Sequence, residues 1–317
     1  MGSPLGGIAD EDSIDLEDLT GEVIAIDGNI DIYQYLTAIT DDWNDYVRND
    51  EGVPISHLIG LVSRYGQVLK HGIRPIYVFD GGYPDLKEDT LESRRNPEAA
   101  EKFVEAKQNG NKSKARSLAY QKVGVSDFMI DSTIELLDAM GIPAFKAPAE
   151  GEPQAAQLVH DGTADHVVSE DWDTMLYDIP TLVRSFGTSG GDMAYLERIL
   201  RSMEWDIEQL RWYCVLRGSD YNSSVNGVGT VRGQNIVSDA DSFDDVIEAA
   251  ESYDEVDRDR WWRALELFRS PEVETDVDVE WTPFDREEVK AIACDKYGLA
   301  EWQVDSRLSN VEWDSHL

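Results

Sequence analysis

Apolar residues along this chain fall into two rhythms. Three short unbroken runs, Val23 to Ile26, Pro75 to Phe79 and His166 to Val168, are β-branched or aromatic and bounded by polar turns, which predicts buried strands. Elsewhere the spacing changes to three and four: Leu58 to Leu69 and Thr133 to Met140 read as helices, the second stopping at Gly141 with Pro143 just beyond. Alternation of this kind predicts an α/β domain with a mostly parallel central sheet flanked by helices. From Trp205 onward the pattern is helical, and Glu272 to Glu280 (EVETDVDVE) is expected to be an acidic loop or short strand.

One stretch breaks the alternation. Leu86 to Lys122 is helical in composition, has no strand signal and is interrupted near Asn109-Gly110. It holds nine basic residues against six acidic ones, and six of the chain's ten lysines. That concentration matters because the whole chain of 317 residues has 64 acidic and 28 basic residues, a formal net charge of -36. The carboxylates are spread throughout, and Lys is scarcer than Arg (10 against 18), the balance expected of a protein adapted to concentrated salt. With 41% apolar residues the chain has ample core. Cys214 and Cys294 lie far apart without a Cys-x-x-Cys spacing, so they read as ordinary core residues rather than zinc ligands or a disulfide framework. Neither a membrane span nor a secretory leader is expected.

Each strand run leads straight into a carboxylate: the first into Asp27, the second into Asp80, the third into Asp171 with Asp173 two residues on. In an open α/β sheet, groups at the carboxyl ends of parallel strands gather in one crevice. Asp27 taken alone reads equally as the cap of the next helix. Glu150 and Glu152 in APAEGEPQAA, where Pro153 suits a first helical turn, and Asp220 in RGSDYN follow the same logic. Seven clustered carboxylates repel one another and lose solvation unless cations neutralise them. Hard oxygen donors without a His or Cys cluster favour Mg²⁺, with Mn²⁺ able to substitute, and suit two-metal phosphodiester hydrolysis. Gly227-Val228-Gly229, just after the Asp220 segment, can open a helix whose backbone N–H groups cradle a phosphate, or can be a plain turn.

Taken in order, IAIDGNIDIYQYL, PIYVFDGG, APAEGEPQAA, VVSEDWDTMLY and RGSDYNSSVNGVG resemble the acidic blocks and helix-hairpin-helix of the flap endonuclease branch of the 5′ nuclease superfamily, over nearly the whole chain. The resemblance implies a PIN-like 5′ nuclease fold with a helical arch insertion, organised as residues 1–83, an insertion over 84–132, a second nuclease region over 133–221 and a helical region over 222–317. It implies a structure-specific, Mg²⁺-dependent 5′ flap endonuclease and 5′–3′ exonuclease acting on branched or flapped DNA in replication and repair. The metal-site acids fall on Asp27, Asp80, Glu150, Glu152, Asp171, Asp173 and Asp220. Lys87 and Arg94 match the two basic residues at the scissile phosphate. Tyr33 matches an aromatic on which a base stacks, while Arg64 and Gly2 match further DNA contacts. Gly227, Gly229 and Arg232 match the duplex-gripping hairpin, with K⁺ as its expected ion.

Several positions depart from that pattern. The hairpin reads GVGTVRG where Pro and Lys commonly follow the second Gly, so Arg232 is expected to take the Lys role. Pro97 interrupts what is usually a continuous basic helix, and Arg217 stands where an apolar residue is usual. The C-terminal SNVEWDSHL lacks the pattern that binds a sliding clamp, so no clamp partner is expected. A monomer in the cytoplasm of a salt-adapted prokaryote, or of a host of a halophilic virus, is the expectation. A PIN-type RNase and a branch-binding paralogue that does not cut are the competing readings.

Overall fold

The computed structural model describes residues 4–87, 97–122 and 124–308. Gly2, Arg94 and the SNVEWDSHL segment lie outside the described residues. The centre is a seven-stranded sheet of β1 (Glu11–Asp15), β2 (Val23–Asp27), β3 (Arg74–Phe79), β4 (Ala144–Lys146), β5 (His166–Val168), β6 (Thr181–Arg184) and β7 (Gly190–Tyr195), ordered β1-β7-β6-β5-β2-β3-β4. Strands β4, β3, β2, β5 and β6 run parallel. The β7 strand turns back against β6, and β1 pairs antiparallel with β7 at the edge.

The sheet separates two cores because successive side chains point to opposite faces. Val23, Ala25, Ile76, Val78 and Val167 pack on one face with residues of the Gly151–His160, Ile207–Arg217 and Arg258–Arg269 helices. Ile24, Ile26, Tyr77, Phe79 and Val168 pack on the other with the Gly28–Ala38, Ser56–Val68, Asp127–Ala139 and Glu301–Leu308 helices. With both faces covered, the central strands are continuously apolar, which is why those three runs stand out in the sequence.

The described residues of the basic stretch include two helices, Pro97–Gln108 and Lys112–Lys122, joined through Gly110 at φ +68°. They share a small core of Ala99, Phe103, Ala106, Ala115, Leu118 and Ala119. Pro97 is the first described residue of its helix, a place its missing N–H and fixed φ suit. Trp43, from the loop after the Gly28–Ala38 helix, packs against this core beneath the ammonium groups of Lys107 and Lys112, 5.9 and 5.4 Å from its ring. The Glu272–Glu280 stretch is an irregular loop rather than a strand. Cys214 is buried as expected, but Cys294 is only partly so, packing against the core from a short π-helical turn, Ala291–Lys296.

Candidate active site

Parallel pairing sends the carboxyl ends of β2, β3, β4 and β5 to the same edge of the sheet. Asp27 is the last residue of β2, and Asp80 follows β3 directly. The β4 strand, too short and half-exposed to show in the sequence, delivers Glu150 through Ala147 to Ala149. The β5 strand delivers Asp171 and Asp173 through Ser169 and Glu170. Gly81 permits the closest approach here: a Cβ on it would lie 1.8 Å from the Ala147 carbonyl oxygen, and its N–H donates to the Ala149 carbonyl at 2.8 Å.

Backbone donors hold several of these carboxylates. Asp27 Oδ1 accepts from the Asn29 and Ile30 N–H groups, both at 3.1 Å, so the side chain caps the Gly28–Ala38 helix while buried at the sheet edge. Asp80 Oδ1 accepts from Gly151 N–H at 2.7 Å, and Asp171 accepts from Asp173 N–H at 2.9 Å. Ser169 links two blocks: its hydroxyl donates to Asp27 Oδ2 at 3.3 Å and accepts from Asp171 N–H at 3.1 Å.

Lys87, its side chain 13% exposed, ion-pairs with Glu150 and lies 3.5 Å from Asp220. Burial opposes its charge, but Glu150, Glu152 and Asp220 outweigh that and hold the ammonium above the ordinary lysine range. The acids show the reverse imbalance. Burial, reinforced by Asp80, pushes the Asp27 carboxyl up to about 7, and burial with repulsion from Asp171 and Asp27 raises Glu152 well above its usual range. As they stand, no three acids, histidines or cysteines among the described residues are close enough to share an ion. The donor set nevertheless fits a hard divalent cation: all-oxygen, negatively charged, buried or half-buried, and carrying more charge than Lys87 offsets.

Two tyrosines complete the wall without a signal of their own beyond proximity to an acid. Tyr83 donates to Asp80 Oδ2 at 3.0 Å, with Lys87 Nζ 5.6 Å from its ring centre. Tyr221, next to Asp220, donates its hydroxyl to Glu150 and meets the Tyr177 hydroxyl at 3.1 Å.

The expected DNA contacts are placed unevenly. Tyr33 projects from the Gly28–Ala38 helix, 44% exposed, as a stacking surface should. Arg64 turns inward: it ion-pairs with buried Asp31, which also accepts from Tyr77, and donates to Gln34 Oε1 at 2.9 Å. Its charge is matched internally by Asp31. Gly227 (φ +79°) and Gly229, at the N-cap of the Thr230–Ser238 helix, lie in an open cleft with Thr230, Arg232, Asn235 and Tyr253. Arg232 donates to the Gly227 carbonyl and lies over the Tyr253 ring, 4.9 Å away. The otherwise unexplained Arg217 donates to the Val228 carbonyl at 2.5 Å. Guanidinium groups therefore engage the Gly227 and Val228 carbonyls of the turn.

The XPG N-terminal domain family matches residues 5–101 and the XPG I-region matches residues 141–220. Flap endonuclease 1 of Pyrococcus furiosus is 32% identical over 98% of this chain and 95% of its own length. That of Methanosphaerula palustris is 35% identical, over 90% of this chain and 89% of its own. Among solved structures, flap endonuclease-1 from Methanococcus jannaschii superposes with TM-score 0.77 at 27% identity, covering 98% of both chains. The catalytic core of Rad2 in complex with DNA substrate shares the fold, with TM-score 0.74, 23% identity, and coverage of 98% of this chain and 100% of that one. Sequence similarity spanning nearly the full length and four strand ends converging on one acidic edge lead to the same assignment: the chain belongs to the flap endonuclease family, structure-specific 5′ nucleases of DNA replication and repair.

Proposed function

We propose that this flap endonuclease hydrolyses DNA near single-strand/double-strand junctions at the β2–β3–β4–β5 edge, using Asp27, Asp80, Glu150, Glu152, Asp171, Asp173 and Asp220 to hold two Mg²⁺ ions. The observation that carries the reading is the delivery of acids by four parallel strand ends around one buried ammonium, Lys87. When bound, the ions supply activation of a water and Lewis-acid stabilisation of the phosphoryl charge. The chain's own contribution is electrostatic and positional. Lys87, with Arg94, offsets the negative charge that builds on the phosphoryl oxygens as water oxygen bonds to phosphorus and the P–O3′ bond breaks. The displaced O3′ takes a proton, leaving a 3′ hydroxyl and a 5′ phosphate.

The rest of the molecule presents the phosphate to this edge. Tyr33 offers its exposed ring to a base beside the cleavage point, a contact worth roughly 1–3 kcal/mol. Free N–H groups at the start of the Thr230–Ser238 helix receive duplex phosphate, with Arg232 beside them. The insertion over 84–132 guides the 5′ strand, and the regions 1–83, 133–221 and 222–317 form one nuclease domain around it. K⁺ is the expected monovalent ion at the hairpin, beside Arg217 and Arg232. The net charge of -36 and low lysine content support a cytoplasm of concentrated salt.

Cleavage of an end-labelled 5′ flap duplex in molar KCl with Mg²⁺ tests this. Incision near the junction should be abolished by Asp171→Ala and slowed at least about 100-fold by Lys87→Ala, as loss of a transition-state contact costs. Binding without incision in both Mg²⁺ and Mn²⁺ would instead identify a branch-binding paralogue.

A further inference from the structure

The Arg258–Arg269 helix contributes no carboxylate to the site, yet Arg260 reaches from it to two of the loops that do the work. Its Nε donates to the Tyr221 carbonyl at 2.7 Å and its Nη2 to the Leu86 carbonyl at 2.8 Å. Leu86 immediately precedes Lys87, and Tyr221 immediately follows Asp220. One planar guanidinium therefore spans the backbone on both sides of the 3.5 Å Lys87–Asp220 ion pair. A planar fork sets direction as well as distance, which a single ammonium cannot.

The anchor behind this fork is firm. Asp257 caps the helix by accepting from Arg260 N–H at 3.0 Å, and Trp261, Leu265 and Phe268 are buried in the larger core. Tyr221 is itself fixed at its other end through Glu150, so the Arg260 contact closes a ring: Arg260 to Tyr221, Tyr221 to Glu150, Glu150 to Lys87, and Leu86 back to Arg260.

We propose that Arg260 is a positioning residue for strand cleavage, setting the separation of the Lys87 and Asp220 loops and thereby the aim of the Lys87 ammonium. The proposal rests on Lys87 assisting cleavage, and the test separates the two. Single-turnover cleavage of a 5′ flap duplex would be measured for the full chain carrying Arg260→Ala, Lys87→Ala and both. Arg260→Ala should slow the step about 10- to 100-fold, the scale of a misplacement of about 1 Å, with flap affinity within about twofold of the parent. The double variant should be no slower than Lys87→Ala alone, because Arg260 acts through that side chain.

Lys87→Ala cleaving at the parental rate would remove the Lys87 reading and this proposal with it. Slow Lys87→Ala combined with additive losses in the double variant would overturn the Arg260 proposal alone. Should circular dichroism show Arg260→Ala unfolded, Arg260→Lys carries the same cycle: its ammonium reaches one carbonyl but not both, so an intermediate, non-additive loss is expected and an additive one overturns the proposal.

Discussion

Asp27 divides its carboxylate between two duties, Oδ1 receiving the first N–H groups of a helix and Oδ2 facing Ser169 inside the acidic edge. Its unfolded form ionises near pH 4 but its folded form only at about 7, so without divalent ion the native state loses stability as pH rises between those values. Asp27→Asn keeps an oxygen acceptor for the cap and removes the disfavoured charge. It should abolish cleavage yet raise the Tm in chelator at pH 8. Asp27→Ala should also abolish cleavage but give up the cap, worth about 1 kcal/mol, and melt below the Asn variant. Equal melting of the two would separate Asp27 from the helix cap. His57 has the opposite slope. It is buried against Ser132, Nε2 to Oγ at 2.9 Å, and burial pushes its imidazole down to about 3. The unfolded chain takes up a proton near pH 6.5 that the folded chain refuses, so this group costs nothing above that pH and destabilises progressively below it, by at most about 1.4 kcal/mol per pH unit. Melting between pH 7 and 5 should flatten in His57→Gln; an unchanged slope would place the acid sensitivity elsewhere.

Elements were legible in the sequence in proportion to how fully they are buried. The β2, β3 and β5 strands announce themselves because both of their faces are covered. The β1 strand, Glu-Asp-Ser-Ile-Asp, is an exposed edge with no apolar alternation, and three-residue β4 has only partly buried residues followed by Lys146. The acids were legible because all but Asp220, which lies in the turn after the Ile207–Arg217 helix, follow a strand or open a helix. Arg260 and Arg217 were not, since their partners are backbone carbonyls, to which composition gives no clue. Arg217 carries a prediction at this scale, because with Arg232 it brings positive charge to the carbonyls of the hairpin. Duplex affinity should change less than about twofold when KCl is replaced by NaCl at equal ionic strength, as screening depends on ion concentration rather than identity. Arg217→Leu, which frees the Val228 carbonyl, should weaken duplex binding and make it sensitive to that replacement. Strong K⁺ preference in the parent protein would make the ion, rather than the guanidinium groups, the main positive charge at the hairpin.

For the whole molecule, charge and grip pull against each other. A chain of net charge -36 approaches a polyanion, and several cations of the basic insertion are already spoken for: Lys102 by Glu98, Lys107 and Lys112 by Trp43. Insertion lysines used to dock helices onto the body leave fewer for phosphate, which places more of the substrate's neutralisation on divalent ions at the acidic edge. Screening should also decide stability. The Tm is expected to climb by more than about 10 °C between 0.1 and 2 M KCl, several kcal/mol on the scale of a domain this size, and a flat response would refute salt adaptation. No helix among the described residues is long and apolar enough to cross a membrane.

The second core reaches from Leu16 and Ile24 at one end of the chain to Val304 and Leu308 at the other, with Gly66 and the Arg307 carbonyl in direct apposition. A ribosome that has delivered every carboxylate of the site has therefore not yet delivered the lid of the face behind it. Until Leu308 emerges, the Ser56–Val68 helix keeps an apolar flank bare, so the newborn chain passes through an interval in which its catalytic edge is spelled out but its back is open to chaperones, proteases and other nascent chains.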